Sequence, residues 1–245
     1  MAILLTGGLG KLGRQLGRVL PESVTYVPTH QALDITNIGD VASFIEKFNI
    51  DSVIHCAAMT NIRLCEERLK QAYETNVNGT RNLCRSLLRH CPDGYMIYVS
   101  TACVFRGDDP DKYYSEDDVP YPKNFYGLTK MLGETVVQES GLSSLIVRTN
   151  FIERGKWPYP QAFTDRYATY LYSDQLAEEI AKLYKGKRPG LVHVCGDKRD
   201  SMYGFAKLGD PQVQPMTLAE YFGPPLTVNM SLTSKRIPLV KFDSR

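Results

Sequence analysis

The stretch "TGGLGKLG", residues 6–13, decides the reading of the fold. It sets Gly7, Gly10 and Gly13 between the apolar run "AILLT" (2–6) and "KLGRQLGRVL" (11–20), whose apolar residues recur at helical spacing. Glycines at this spacing allow a tight strand-to-helix turn. They also let backbone N–H groups approach a pyrophosphate, which then sits on the helix N-terminus. A glycine triplet alone is weak. A strand before it and a helix after it are the context a dinucleotide loop requires.

Outward from this loop the chain alternates. "VTYVP" (24–28) reads as a strand, and "NIGDVASFIEKFNI" (37–50) as a helix with Ile38, Val41, Phe44, Ile45 and Phe48 on one face. "SVIHCAA" (52–58) is apolar without alternation, as expected of a strand covered on both sides. A long helix over 66–91 follows. Then come a strand "YMIYVS" (95–100), a helix over 124–140 and a strand "SLIVRT" (144–149). This order predicts an α/β doubly wound parallel sheet of Rossmann type. After Arg148 the pattern loosens, with a helix over 174–186 and a strand over 190–196. The expected organisation is a dinucleotide-binding domain over 1–150, with 173–196 returning to it. A small C-terminal substrate-binding region takes 151–172 and 197–245.

Hydrophobic residues make up 43% of the 245 residues and charged residues 23%, ordinary for a globular protein. The net charge of +2 and the lack of a basic block argue against nucleic acid as a partner. No apolar run is long enough to span a membrane. Met1 runs straight into "AILLTGG" without a basic leader, so no signal peptide and a cytoplasmic location are expected. The cysteines at 56, 65, 84, 91, 103 and 195 form no C-x-x-C pair and read as reduced core thiols. The four histidines are isolated, and no metal site is expected.

Three positions carry chemistry beyond the loop. Where the second strand ends, Thr29 and His30 replace the acid that grips an adenosine ribose, and the first acid is Asp34. NAD is therefore not specially favoured, and Lys11 and Arg14 are candidates to meet a 2′-phosphate. In "NFYGLTKMLGE" (124–134), Tyr126 and Lys130 stand at i and i+4 on one helix face. A lysine charge beside a phenol is expected to lower its pKa, and a phenol so tuned can protonate a carbonyl oxygen as hydride reaches its carbon. Ser100 and Thr101, at the carboxyl end of a strand, supply a polar group to orient that oxygen.

Among smaller candidates, Asn76 or Asn78 on the long helix reads equally as a surface residue or as one holding structure or water near Lys130. His193 reads as a core or edge-strand histidine, and "SEDDVPYP" (115–122) as a solvated loop. The aromatic residues from Trp157 to Tyr172 suit either packing or stacking on a ligand.

Together "TGGLGKLG", "LDIT", "VIHCAAMT", "NVNGT", "VSTACVF", "FYGLTKMLGE" and "LIVRTNF" resemble the extended branch of the short-chain dehydrogenase/reductases, and within it the dTDP-4-dehydrorhamnose reductase family. The resemblance runs from Met1 to about Thr149 and resumes over 173–196. It implies hydride delivery from NADPH or NADH to the 4-keto group of a nucleotide-linked 6-deoxy sugar. It also implies a homodimer. By position it implies a triad of Thr101, Tyr126 and Lys130, a pyrophosphate cradle of Gly7, Gly10, Lys11 and Leu12, and adenine contacts from Asp34 and Ile35. Ala57 and Ala58 would pass under the cofactor. Thr60, Ala102, Cys103 and Phe151 would border the sugar, with Ala102 and Cys103 standing where the family carries an acid and a phenol. The stretch between Phe151 and Tyr172 is contracted. Two other functions share these motifs: a nucleotide-sugar epimerase, with Cys103 as a second acid/base, and a dinucleotide-binding regulatory subunit without turnover, similar to that of methionine adenosyltransferase.

Overall fold

The computed structural model describes residues 2–243. Its strands are β1 (Ile3–Thr6), β2 (Thr25–Tyr26), β3 (Ser52–His55), β4 (Tyr95–Thr101), β5 (Ser143–Thr149), β6 (Phe151–Ile152), β7 (Gln161–Phe163), β8 (Tyr167–Ala168), β9 (Leu171–Tyr172), β10 (Gly190–Val194), β11 (Asp200–Ser201), β12 (Gln214–Met216) and β13 (Asn229–Met230). Its helices are α1 (Lys11–Val19), α2 (Ile38–Lys47), α3 (Ile62–Glu67), α4 (Leu69–Tyr73), α5 (Gly79–His90), α6 (Phe125–Gln138), α7 (Ser173–Gly186) and α8 (Met202–Gly209).

Six strands form the central sheet in the order β10-β5-β4-β3-β1-β2, every pair parallel. β1 pairs with β2 on one side and β3 on the other, so the winding reverses at the carboxyl ends of β1 and β3. An open sheet has its ligand crevice at such a point. One face is packed by Leu12 and Leu16 of α1 and Leu176, Ala177 and Ile180 of α7. The other is packed by Val41 and Ile45 of α2, Leu83 and Leu87 of α5 and Val137 of α6. Apolar side chains on both faces explain why β3 and β4 are buried along their whole length. The doubly wound parallel sheet is the architecture the alternation predicts.

Two local expectations are corrected. The run at 24–28 pairs only over Thr25–Tyr26, at the sheet edge. The single helix over 66–91 is broken into α3, α4, a π-helical turn over Glu74–Asn78 and α5. That turn carries Asn76, whose Oδ1 accepts the Met59 N–H at 2.7 Å. Its Nδ2 donates to the Met59 carbonyl at 3.0 Å and to Thr129 Oγ1 of α6 at 2.9 Å. The extra residue of a π turn lets one amide satisfy a loop and a helix together. Asn76 thus ties the segment after β3 to α6.

Beyond β5 the short strands form small sheets: β8 lies between β11 and β13, β7 pairs with β12 and β6 with β9. They share a core with residues 102–105, including Phe105, Tyr170, Phe205 and Met230. The acidic stretch at 115–122 is also corrected, because Glu116 is a buried clamp. Its carboxylate accepts the His193 N–H at 2.8 Å, the Lys235 N–H at 2.9 Å and the Ser234 hydroxyl. Burial alone would raise this carboxyl, but the Ser234, Lys235 and His193 donors hold it below its ordinary value.

His193 lies in β10, an edge strand as expected, with Nδ1 facing the Tyr114 and Thr233 carbonyls at 3.1 and 3.0 Å. Burial, aided by the Arg148 charge and opposed by Glu116, pulls its pKa down to about 4. Burial pulls His55 down to about 3, helped by Lys130. The unfolded chain binds these protons near pH 6.5 and the folded chain does not. Stability from both groups is therefore present above pH 6.5 and lost as pH falls toward 4 and 3. Thermal unfolding is expected at a progressively lower Tm from pH 7 to 4.5, with a flatter profile for His193→Gln. A Tm constant over that range would refute the assignment.

Candidate active site

A cleft of about 780 Å³ opens at the carboxyl ends of the central strands. At one end it is lined by Gly7, Gly10, Lys11 and Leu12 together with Asp34 and Ile35. Its middle holds Ala57, Ala58 and Thr60, and its inner end Thr101, Cys103, Tyr126, Lys130 and Phe151.

The loop end is built for an anion. Gly10 caps α1 without a side-chain hydrogen bond, and the first turn of α1 has no acid. The first N–H groups of a helix lack intrahelical acceptors, so here they remain open to a phosphate. Gly7, at φ 70°, lies so close to β3 that a Cβ would overlap Ala57 backbone. A Cβ at Gly13 would overlap the Gly7 carbonyl oxygen and the Gly8 Cα. Gly13→Ala is therefore expected to cost about 1–3 kcal/mol of stability and to weaken dinucleotide binding by about tenfold or more. Titration of nicotinamide fluorescence checks this, and wild-type affinity in the variant would contradict it. Lys11 and Arg14 both reach Glu153, at 3.1 and 3.4 Å. Such exposed pairs are worth little, so a phosphate can replace the carboxylate.

The inner end is organised by α6. Asn124 caps it by accepting the Gly127 N–H at 2.9 Å, and Glu66 accepts the Phe125 N–H at 2.7 Å. Gly127 and Gly133 let α6 sit directly on the segment after β4. A Cβ at Gly127 would overlap the Cys103 carbonyl oxygen, and one at Gly133 the Tyr98 hydroxyl. This approach brings Tyr126 and Lys130 to Thr101 at the end of β4. The Thr101 hydroxyl acts on the Tyr126 phenol, favouring its ionised form.

The electrostatics correct the expected tuning. Burial dominates at Tyr126 and pushes its pKa up, with Cys103 adding to the rise and Thr101 opposing it. Lys130 is 3% exposed, and its Nζ stands 4.0 Å from the Tyr98 ring centroid. Burial draws the Lys130 pKa down to about 7, although the Glu134 charge opposes this. Desolvation outweighs the lysine–phenol attraction that the i, i+4 spacing suggests. Tyr126 is thus fully protonated at neutral pH.

Residues 1–156 match the RmlD substrate binding domain family. This chain belongs to that family. The dTDP-4-dehydrorhamnose reductase of Aggregatibacter actinomycetemcomitans is 34% identical over 152 residues. The alignment covers 61% of this chain and 51% of that one, so the chain spans about half the length of this curated relative. The spore coat polysaccharide biosynthesis protein SpsK of Bacillus subtilis (strain 168) is 30% identical over 220 residues, covering 83% of this chain and 76% of that one. The crystal structure of dTDP-4-dehydrorhamnose reductase from Bacillus anthracis str. Ames, in complex with NADP, superposes with a TM-score of 0.89 at 26% identity. It covers 99% of this chain and 95% of that one.

Against this RmlD-family frame, two predicted positions move. Ser100 donates its hydroxyl to Glu134, leaving Thr101 as the polar group beside Tyr126. Ala102 is fully buried and does not line the cleft. It packs with Phe105 and Ile152, because the 3-10 turn over Ala102–Val104 points it inward. The aromatic stretch divides: Tyr159 and Tyr170 line the cleft, while Tyr172 stacks on Phe242 at 5.0 Å. Asn150, Arg166 and Met230 also line the cleft and were not singled out from the sequence. They lie in the aperiodic segment after β5, where no local pattern marks a cleft residue. Among the described residues no helix is long and apolar enough to cross a membrane.

Proposed function

We propose that this chain uses NADPH, or NADH, to reduce a nucleotide-linked 4-keto-6-deoxy sugar, with dTDP-4-dehydrorhamnose giving dTDP-rhamnose as the first candidate. One observation carries the reading: the uncapped helix N-terminus at the Gly loop and the Thr101, Tyr126 and Lys130 side chains line one continuous cleft. Gly7, Gly10, Lys11 and Leu12 would hold the pyrophosphate, Asp34 and Ile35 the adenine side, and Ala57 and Ala58 the floor. When bound, the dinucleotide supplies hydride to the carbonyl carbon.

The protein's own residues supply the proton. Burial keeps the Tyr126 phenol protonated, so it can donate to the carbonyl oxygen as that oxygen becomes an alkoxide. Thr101 orients the oxygen by hydrogen bonding. Lys130, charged when the cleft holds anions, offsets the phenolate left behind. Thr60, Cys103 and Phe151 border the sugar. The region formed by 151–172 and 197–245 completes the substrate half of a domain built from 1–150 and 173–196. The reading carries with it a nucleotide-sugar ligand, a homodimer, a cytoplasmic setting and no nucleic-acid partner.

The test is the loss of nicotinamide absorbance on mixing the protein, NADPH and dTDP-4-dehydrorhamnose. Stoichiometric formation of dTDP-rhamnose supports the reading; dinucleotide binding without turnover of this sugar would reject it.

A further inference from the structure

Arg166 lies at the inner end of the cleft and is 8% exposed. Its Nε donates to the Thr227 carbonyl at 2.9 Å, and its Nη2 reaches Met230 Sδ at 3.3 Å. No carboxylate among the described residues lies within ion-pair distance of it. The neighbouring Asp165 turns instead to Leu218, whose N–H both its oxygens accept, at 2.9 and 3.0 Å. A guanidinium carries five donors and keeps its charge at any working pH. Here one strong acceptor and one weak sulfur acceptor serve it. A buried charge is ordinarily paired.

Its surroundings place this unmatched charge near the reacting group. Met230 Sδ lies 3.8 Å from Cys103 Sγ, and Cys103 acts in turn on Tyr126. The Arg166 charge also acts on the buried Tyr170 phenol, which burial pushes up to about 12. Among the described residues that line the cleft Asp34 is the only carboxylate, and it sits with the Gly loop at the opposite end. The inner end is therefore a buried, cationic and acid-free pocket.

We infer that Arg166 is an oxyanion-binding residue of the substrate half of the cleft, taking a phosphate or carboxylate oxygen of the second ligand. This rests on the reading that the inner end of the cleft holds a nucleotide-linked sugar. Two sources carry such an oxygen: the diphosphate of the nucleotide, or an acid group on the sugar. A planar guanidinium fork fits either one bidentately.

Calorimetric titration of the NADPH-loaded protein with dTDP and, separately, with D-glucuronate tests the inference in wild type and Arg166→Gln. At least one probe is expected to bind the wild type and to lose about tenfold or more in affinity in the variant, while NADPH affinity stays unchanged. A loss confined to dTDP assigns the diphosphate, and a loss confined to D-glucuronate assigns a sugar acid. Equal affinities in both proteins, or no binding of either probe to the wild type, would overturn it. If the variant fails to fold, phenylglyoxal labelling of wild-type Arg166 decides. Slowing by either probe supports the site, and an unchanged rate overturns it. Turnover of dTDP-4-dehydrorhamnose separates the two readings. An Arg166-dependent anion site without turnover sinks only the choice of reaction. Turnover with an unchanged KM in the variant sinks only the Arg166 assignment.

Discussion

Tyr126→Phe is expected to lower reductase turnover by about 10²–10⁴-fold while leaving dinucleotide affinity within about threefold. The substitution removes one oxygen and its proton, and the ring keeps its place between Thr101 and Cys103. Burial holds the phenol protonated, so under the proposed reaction the wild type would have a proton to donate without needing a depressed pKa. Water is a poor replacement in a site this enclosed. Because the loss is of a proton donated in the transition state, it should appear in kcat rather than KM. Single-turnover measurement of nicotinamide oxidation, with fluorescence titration of the cofactor, separates the two quantities. A variant retaining more than about a tenth of wild-type turnover would remove Tyr126 from the acid role.

The second large effect concerns a residue that touches no ligand. Arg148 of β5 donates to Glu134 of α6 through Nε at 3.0 and 3.2 Å and through Nη2 at 2.7 Å, and both side chains are about 4% exposed. Ser100 of β4 adds its hydroxyl to the same carboxylate. Glu134 is one helical turn beyond Lys130, so this cluster fastens the face bearing Tyr126 and Lys130 to the strand bearing Thr101. Arg148→Met leaves a buried carboxylate with one hydroxyl donor. Breaking a buried pair by removing one partner costs about 3–5 kcal/mol. Urea unfolding at pH 7 should show that loss. Destabilisation below about 1 kcal/mol would mean the pair is dispensable. The double variant Arg148→Met, Glu134→Gln should recover part of the loss, since no unpaired charge then remains.

Much of this was legible in the residues. The glycine triplet at 7, 10 and 13 is readable because its requirement is local: backbone must approach backbone within one turn. The pairing of Tyr126 with Lys130 is readable because helical spacing puts i and i+4 together, and Thr101 because strand ends collect at one edge of a parallel sheet. Glu116 was misread because charge in a turn-rich run ordinarily means solvent, and its three partners come from residues 193, 234 and 235. Ser100 and Thr101 are indistinguishable in composition. Both line the cleft, and only packing separates them: Ser100 gives its hydroxyl to Glu134, while Thr101 acts on the Tyr126 phenol.

By itself the sequence determined the parallel sheet, the glycine loop after its first strand and the placing of Tyr126 and Lys130 on one helix face, because each follows from a local pattern. Only the tertiary structure decided the charges in the cleft. Desolvation by the packed surroundings of Lys130 draws it down and raises Tyr126, against the sign that spacing alone suggests. Packing of the segment after β5 buries Arg166 among Thr227, Met230 and Tyr170, with no carboxylate at ion-pair distance among the described residues. Dielectric surroundings and long-range partners are properties of packed neighbours, and no local pattern of residues carries them.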